Sequence, residues 1–379
     1  MMTNPSLPRP TPSMVGQMIG HYRLVRKLGE GGMGMVFEAV HDNVGGRAAI
    51  KVLRPEAAGQ PEIVARFFNE ARAANSIQHP GIVHIFDCGF TKDGLGYLIM
   101  EFLAGESLRQ RLERVQRLGV AEVLQLGRQL ASALHAAHEQ RVIHRDLKPD
   151  NIMLVPDPEL AAGERAKVLD FGIAKVAEEL NAQSVRTQSN LILGTPLYMA
   201  PEQSRDARHV SDKSDVYSLG VILFQLLAGR PPFIGEGLGE LVVMHALNAP
   251  PRLSELVPSI PPAVAKLVHG MLEKLPDARP NMNEVHDRIQ KLMSDTLSAE
   301  ITTQTERAVS PAILAAPVTH SPPDRFRPAR ALSRRWVAVG IGLVMGLAVS
   351  ATILHPWRSA TPVHVFAQRD IQLPSGLHK

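Results

Sequence analysis

The chain has 379 residues and a 45% apolar content, so one large folded domain, or two packed lobes with appended segments, is expected. A formal net charge of +4 is too small to argue for nucleic-acid binding, and no DNA- or RNA-binding motif accompanies it. The single cysteine, Cys88, excludes an intramolecular disulfide framework and a cysteine-cluster metal site.

The N-terminal third of the chain predicts a small sheet lobe. Residues 1–20 are rich in Pro, Ser and Thr and lack the features of a secretory signal peptide, which predicts a flexible extension. From 21 to 103, short alternating apolar runs broken by glycines are typical of a mostly antiparallel sheet. Residues 61–76 interrupt these runs with apolar side chains three or four positions apart, so one helix is expected within this lobe.

Longer helical patterns follow, over 120–139 and 215–227, with polar motifs in the loops between them. They predict a second, mainly helical lobe over 104–294. Together the two lobes form one α+β domain that spans 21–294.

An apolar run near the C-terminus predicts a membrane span. Residues 295–335 are rich in Ser, Thr, Pro, Ala and Arg, and they predict a disordered juxtamembrane linker. Residues 336–355 then form an apolar stretch whose uncharged part, 337–354, would extend roughly 27 Å as a helix. Because an isolated apolar run after a linker has no core to join, a transmembrane helix is preferred to a buried one.

The charges around this stretch predict its orientation. Only Arg358 follows it closely, whereas five arginines precede it: Arg325, Arg327, Arg330, Arg334 and Arg335. The positive-inside rule therefore places the two-lobed domain in the cytoplasm and the short tail, 356–379, outside the cell membrane. Trp336 and Trp357 bracket the run, where interfacial aromatic side chains are expected.

The most informative residues lie in the second lobe, in the run His144–Asn151 and at Asp170. Phosphoryl transfer needs oxygen ligands for Mg²⁺ and a carboxylate that can take a hydroxyl proton. The run supplies an Asp and an Asn, and a second Asp follows. With Phe171 and Gly172 after Asp170, this stretch resembles the catalytic and metal loops of eukaryotic-type (Hanks-type) serine/threonine protein kinases.

The resemblance implies a role for each side chain. Asp146 would be the catalytic base, Asn151 and Asp170 would hold Mg²⁺, and Lys148 would neutralise the transferring phosphoryl group, which favours Ser/Thr over Tyr acceptors. Taken singly, either carboxylate is equally a loop side chain that binds backbone N–H groups. The stretch 155–167, which precedes the metal loop, is longer than is usual in the family, and this predicts a surface insertion.

A glycine motif near the N-terminus fits G-x-G-x-x-G-x-V with a strand on either side. By itself this motif is more typical of a glycine-rich hairpin turn. A dinucleotide fold would need a helix directly after the glycines, so a kinase-type loop over the ATP phosphates fits better. The residues that the resemblance assigns to ATP here are Leu28, Gly29, Glu30, Gly31, Gly32, Met33, Gly34, Met35 and Val36.

A lysine and a glutamate extend the resemblance. Ala49 and Lys51 lie in a stretch similar to the family's V-A-I-K strand, so both are assigned to ATP, with Lys51 on the α and β phosphates. Glu70 lies on the predicted helix and would form with Lys51 the ion pair that marks the active state of the family.

The segment 97–103 resembles the strand and hinge that join the two lobes in the family. Backbone groups of Glu101 and Leu103 would meet adenine, and Met100 would be the gatekeeper behind the nucleotide. From the residues alone the segment is simply a buried strand, so these assignments rest on the family.

Further residues are implied as structural supports. Thr195 would help to position Asp146, Glu202 would pair with Arg279, and Asp215 would brace the catalytic loop. Arg145 would bind a phosphate on the activation segment, where the hydroxyl side chains are Ser184, Thr187 and Ser189, with Thr187 the first choice for autophosphorylation.

Three functions fit parts of the sequence. An active kinase anchored in the membrane, similar to bacterial receptor-type kinases and acting on protein substrates, is favoured over an ATP-binding pseudokinase scaffold because Lys51, Asp146 and Asp170 are all present. A nucleic-acid-binding protein has only the arginines beside the apolar run to support it. Gly342 and Gly346 have a G-x-x-x-G spacing that leaves a homodimer of the predicted span open.

Overall fold

The computed structural model describes residues 14–31, 34–171, 196–204 and 210–308. Over these residues the chain forms a sheet lobe that ends near residue 103 and a helical lobe that follows it. This is the α+β division that the sequence predicted.

The first lobe is built on six antiparallel strands, in the order β1-β2-β3-β4-β6-β5. The strands are Met18–Ile19 (β1), Tyr22–Glu30 (β2), Gly34–His41 (β3), Arg47–Leu53 (β4), Ile85–Phe90 (β5) and Gly96–Glu101 (β6). Apolar side chains from β2, β3, β4 and β6 form a buried cluster on one side of the sheet. The predicted antiparallel sheet is therefore present.

The boundary of the N-terminal extension differs from the prediction. Residues 14–20 were assigned to a flexible segment, but they include β1, and Ile19 is 3% exposed in the core of the sheet lobe. Met14 packs against the same core. The apolar side chains of this short stretch outweigh the Pro-, Ser- and Thr-rich composition of the residues before it.

Two helices, Pro55–Ala58 (α1) and Pro61–Ser76 (α2), stand where the sequence predicted one. Each begins with a proline in its first turn, where the missing N–H group costs no hydrogen bond. The buried face of α2 carries Phe67, Ala71 and Ala74, at the helical spacing seen in the sequence. Glu70 lies on the same buried face.

The second lobe packs around one central helix. Its helices are Leu108–Val115 (α3), Val120–Glu139 (α4), Asp212–Ala228 (α5), Leu238–Leu247 (α6), Leu253–Leu256 (α7), Pro262–Met271 (α8) and Met282–Ala308 (α9). Most side chains of α5 are buried, and α4 and α8 pack against it. The helix begins at the cap residue Ser211 and ends at Gly229, whose φ of 76° suits glycine.

A small sheet of three strands, Glu106–Ser107 (β7), Ile152–Pro156 (β8) and Glu164–Val168 (β9), lies beside these helices. The predicted insertion is the hairpin between β8 and β9. Arg111 of α3 attaches this hairpin to the lobe, since it donates to Glu164 at 2.8 Å and also binds Glu106 and Glu122. The insertion is therefore a folded hairpin.

The last helix continues beyond the predicted end of the domain. Helix α9 runs to Ala308, so 295–308 are helical although their composition assigned them to a linker without regular structure. The chain has no proline or glycine between Pro280 and Pro311, and nothing in that interval breaks the helix. None of the helices among the described residues combines the length and the apolarity needed to cross a bilayer. The predicted span, 336–355, lies outside the described residues.

A buried ion pair connects two distant parts of the second lobe. The Arg279 guanidinium donates to both carboxylate oxygens of Glu202, at 2.7 and 2.9 Å, and the two side chains are 0% and 8% exposed. Burial alone would raise the pKa of the Glu202 carboxyl, but the Arg279 hydrogen bonds and charge lower it overall. The pairing that the sequence suggested is confirmed.

Breaking this ion pair is expected to cost much stability. Glu202→Gln leaves the Arg279 charge buried without a counter-ion, so the free energy of unfolding at neutral pH should fall by about 3 kcal/mol or more. Glu113→Gln is the control, because it breaks the exposed pair with Arg109 on α3, which is expected to cost less than about 0.5 kcal/mol. Denaturant unfolding of the purified proteins measures both. Equal losses in the two variants would contradict the prediction.

Candidate active site

The catalytic loop is held by one buried carboxylate. Asp215, in the first turn of α5, is 1% exposed and accepts hydrogen bonds from the backbone N–H groups of His144 at 2.8 Å and Arg145 at 2.9 Å. Burial would raise the pKa of the Asp215 carboxyl, but its hydrogen bonds and the nearby histidines lower it overall. Asp215 therefore braces the loop, as predicted.

Arg145 has a left-handed backbone conformation, with a φ of 64°. Such a conformation costs a residue other than glycine about 1–3 kcal/mol, so it persists only where the surroundings hold it. Here the Arg145 N–H group is fixed by Asp215 and its carbonyl accepts from the Gln203 amide at 2.7 Å. The strained residue directly precedes Asp146 and sets the direction in which that side chain leaves the backbone.

His138 is a functional residue that the sequence did not reveal. It lies in the last turn of α4, and its Nε2 is 2.8 Å from the Asp215 carboxylate. A carboxylate only accepts hydrogen bonds, so Nε2 carries the proton and helps to fix the brace. The only signal in the sequence was a histidine near the end of an amphipathic helical stretch that also carries His135.

Asp146, Lys148 and Asn151 lie together at the end of the loop. The Lys148 ammonium is 2.9 Å from the Asp146 carboxylate, and the Asn151 amide nitrogen donates to the Asp146 carbonyl at 2.9 Å. Both contacts are local, and the short 3₁₀ turn Pro149–Asn151 makes them possible. A carboxylate beside an ammonium group is therefore presented to the space in front of the loop.

Lys51 pairs with Asp170 in this structure. Their charged atoms are 2.8 Å apart, and the side chains are 14% and 47% exposed. Burial would lower the pKa of the Lys51 ammonium, but the charge and hydrogen bond of Asp170, with the charge of Glu70, raise it overall. The hydrogen-bonded ion pair is thus with the metal-loop carboxylate, while Glu70, the partner that the sequence predicted, acts on Lys51 through its charge.

The oxygen atoms near Asp170 suit a hard cation. Because the Asn151 nitrogen is used by Asp146, its Oδ1 is the atom left for a metal. The Leu169 N–H group donates to the Asn151 carbonyl at 2.8 Å, which keeps Asp170 beside this amide. Among the described residues no group of three or more His, Cys, Asp or Glu side chains could hold a metal. Two oxygen ligands nevertheless fit Mg²⁺, which uses one or two side chains together with waters and substrate phosphates.

The glycine motif is both a hairpin turn and an open loop. Glu30 ends β2, Gly34 begins β3, and the Gly31 N–H group donates to the Gly34 carbonyl at 2.9 Å. An added Cβ at Gly34 would lie 2.4 Å from the Val52 carbonyl, so packing requires this glycine. At Gly31 an added Cβ would meet nothing within 4 Å, so the protein's own packing does not explain this glycine. Gly32 and Met33 lie outside the described residues.

Other residues assigned to ATP lie on β2, β4 and β6 and differ in exposure. Ala49 is 8% exposed and pairs with Met100 across β4 and β6, whereas Leu28 is 40% exposed. The Glu101 N–H group donates to the His84 carbonyl at 3.0 Å, so this N–H group is not available to a ligand. Thr195 and the activation-segment hydroxyl groups lie outside the described residues.

Comparison with known proteins supports the interpretation of this site. The family model for the protein kinase domain matches residues 22–289. The serine/threonine-protein kinase Pkn1 of Myxococcus xanthus is 46% identical over 266 residues, which are 70% of this chain and 37% of that protein. The kinase PknA of Mycobacterium tuberculosis is 39% identical over 264 residues, 69% of this chain and 58% of that protein. The chain therefore spans less than two thirds of the length of both relatives.

Solved structures of protein kinase domains also match this chain. A crystal structure of the Mycobacterium tuberculosis PknI kinase domain matches with a TM-score of 0.55 and 27% identity, over 74% of this chain and 99% of that one. The matched range, 22–289, contains Lys51, Asp146, Asn151 and Asp170. The chain belongs to the protein kinase family, and within it to the Hanks-type kinases of bacteria.

Proposed function

We propose that this chain is a serine/threonine protein kinase that transfers the γ-phosphoryl group of ATP to hydroxyl groups of proteins. The observation that carries the proposal is the convergence of Asp146, Lys148 and Asn151 in one loop, with Lys51 and Asp170 joined beside it. In the reaction the acceptor oxygen forms a bond to the γ-phosphorus, the bond to the β–γ bridging oxygen breaks, and ADP leaves.

The side chains divide this work. Asp146 accepts the proton of the attacking hydroxyl, and Lys148, 2.9 Å from it, is placed to neutralise the transferring phosphoryl group. Lys51 binds the α and β phosphates through donors of its ammonium group that Asp170 does not use. Asn151 and Asp170 would hold Mg²⁺, which would supply positive charge to neutralise the phosphates.

The acceptor type rests on Lys148 and on the relatives. A lysine two residues after the catalytic Asp goes with Ser and Thr acceptors in the family, and both curated relatives are named as serine/threonine-protein kinases. A pseudokinase scaffold would be expected to lack Lys51, Asp146 or Asp170, and all three are present.

Autophosphorylation of the activation segment is part of the proposal. Arg145 precedes the catalytic Asp, and its Nε is buried with no hydrogen-bond partner among the described residues. A phosphate on Thr187 would supply a charged acceptor for this guanidinium.

We also propose that the kinase is anchored in the cell membrane by residues 336–355, with the kinase domain in the cytoplasm and 356–379 outside. The support is the length of the apolar run and the arginines that precede it. A homodimer through Gly342 and Gly346 stays a prediction from their spacing.

Phosphotransfer should depend on Asp146 and not on Asp150, a second carboxylate in the same loop. Incubated with Mg-ATP and a generic basic protein, the purified protein should place phosphate on Ser or Thr. Asp146→Asn removes the proton acceptor, so kcat should fall by about 10²–10⁴-fold. Asp150→Asn changes an exposed carboxylate of the same loop and should leave kcat within twofold. ATP binding without transfer in the unmodified protein would favour the scaffold.

The glycines should separate nucleotide binding from folding. Gly31→Ala places a methyl group in open space, so it should leave the melting temperature unchanged and raise the KM for ATP several-fold by crowding the phosphates. Gly34→Ala would set a Cβ against the Val52 carbonyl and should lower the melting temperature. Thermal unfolding and ATP titration of the kinase reaction measure both effects. A normal KM in Gly31→Ala would show that the loop does not approach the phosphates.

Anchoring should depend on the apolar run. The full chain expressed in bacteria should sediment with membranes, resist extraction with alkaline carbonate and dissolve in detergent. Deletion of residues 336–355 should release it, because the remaining sequence lacks a comparable apolar stretch. Extraction of the full chain by carbonate would exclude a spanning helix.

A further inference from the structure

Two ion pairs between described residues join the two lobes. One is Lys51 with Asp170, at the front of the site. The other is Lys167 with Glu101, whose charged atoms are 2.6 Å apart. Glu101 ends β6 of the first lobe, and Lys167 lies in β9 of the second.

Further hydrogen bonds hold the side chains of Lys167 and Glu101 in place. The Glu101 carboxylate oxygen that binds Lys167 also accepts the backbone N–H group of His84 at 2.8 Å. The Lys167 ammonium reaches the Ile82 carbonyl at 3.4 Å as well. The side chains of Lys167 and Glu101 are only 14% and 23% exposed, so water screens this pair less than it screens a pair on the surface.

Three chain segments meet at this pair. The loop between α2 and β5 is bound to β9 by two backbone hydrogen bonds, from Val168 N to Gly81 O at 2.8 Å and from Val83 N to Val168 O at 3.1 Å. A cleft of about 420 Å³ lies beside the loop and includes Glu101 and Lys167 in its wall. The pair therefore borders an open space. Charge and hydrogen bonding, more than close packing, hold Lys167 and Glu101 together.

The pair also connects the two ends of the nucleotide site. Glu101 belongs to the segment that the family uses for adenine, and Lys167 lies three residues before Asp170. Lys51 and Asp170 are themselves the residues proposed to bind phosphate and Mg²⁺, so theirs is the inter-lobe pair that nucleotide and metal would alter. Lys167 and Glu101 have no such proposed ligand on their side chains, so their ion pair would still join the lobes.

We propose that Lys167 and Glu101 are a positioning pair, which fixes the distance between the adenine end and the metal end of the site while the lobes close on ATP. This inference rests on the proposed kinase function. The pair touches neither the phosphates nor the acceptor, so it acts through the segment 97–103 and through β9.

The test is a double-substitution cycle in the full chain. Lys167→Gln and Glu101→Gln should each raise the KM for ATP about tenfold and leave kcat within twofold, because the chemical groups are untouched. The double variant should be no worse than either single one, since both remove the same pair. Lys167→Arg keeps the charge and should retain a KM close to that of the unmodified protein.

A matched control lies on the same hairpin. Asp157→Asn breaks the pair of Asp157 with Arg165, at 2.6 Å and within the second lobe, and should leave the KM for ATP unchanged. Melting temperatures of all variants are compared, so that a loss of folded protein is not read as a loss of affinity. The conservative Lys167→Arg variant keeps the cycle informative where a neutral variant folds poorly.

The outcomes separate this inference from the proposed function. An unmodified kinase that is active, with a normal KM for ATP in both neutral variants or with effects that add in the double variant, would overturn the positioning pair and leave the kinase function standing. The dissociation constant for Mg-ATP is measured by equilibrium binding as well. A chain that binds ATP without transferring phosphate would overturn the kinase function, and the same cycle on binding would still decide the role of the pair.

Discussion

The buried Asp215 carboxylate is the constraint on which the catalytic loop depends. A charge with 1% of its residue surface exposed is costly unless donors surround it, and here His138 and two backbone N–H groups do so. These donors come from α4 and from the loop, while the carboxylate comes from α5. Satisfying one buried charge therefore fixes two helices and the loop relative to one another. The strained φ of Arg145 is held by the same contacts, and Asp146 follows it directly.

Two opposite charges lie in front of this loop. Lys51 and Asp170 satisfy each other in the structure, and the proposed function assigns Lys51 to phosphate and Asp170 to Mg²⁺. A buried ammonium without a counter-ion would be destabilising, so the pairing keeps the site stable before nucleotide arrives. Asp170 retains 47% of its side-chain surface, which leaves it accessible to a metal. Glu70 lies buried on α2, and its charge adds to the stabilisation of the Lys51 ammonium.

Much of the fold followed from the sequence, because local patterns determine it. Alternating apolar runs predicted the antiparallel sheet, and apolar spacing predicted α2, α4 and α5 within a few residues. The pairing of Glu202 with Arg279 joins residues far apart in the chain, and only the family resemblance could supply it. By contrast, neither the pairing of Lys51 with Asp170 nor the brace from His138 was accessible, because both depend on which side chains tertiary packing brings together. The predictions made from composition were wrong for residues 14–20 and 295–308. A few apolar side chains bring the first segment into the core, and the second contains no proline or glycine that would end the helix.

The hairpin between β8 and β9 shows how an insertion can lie beside Asn151 and Asp170, the proposed metal ligands, without altering their surroundings. Ile152 pairs with Val168, and the Leu169 N–H group binds the Asn151 carbonyl, so the two ends of the hairpin are fixed next to these two residues. Any additional length is confined to the turn, between Pro156 and Glu164, where the pairing of the strands ends. Arg111 attaches that distal end to α3, which restrains the longer hairpin relative to the lobe that carries Asp170. Strand pairing holds the hairpin close to Asn151 and Asp170, and ion pairs hold its distal end. The length of the hairpin therefore has little effect on the positions of these two residues.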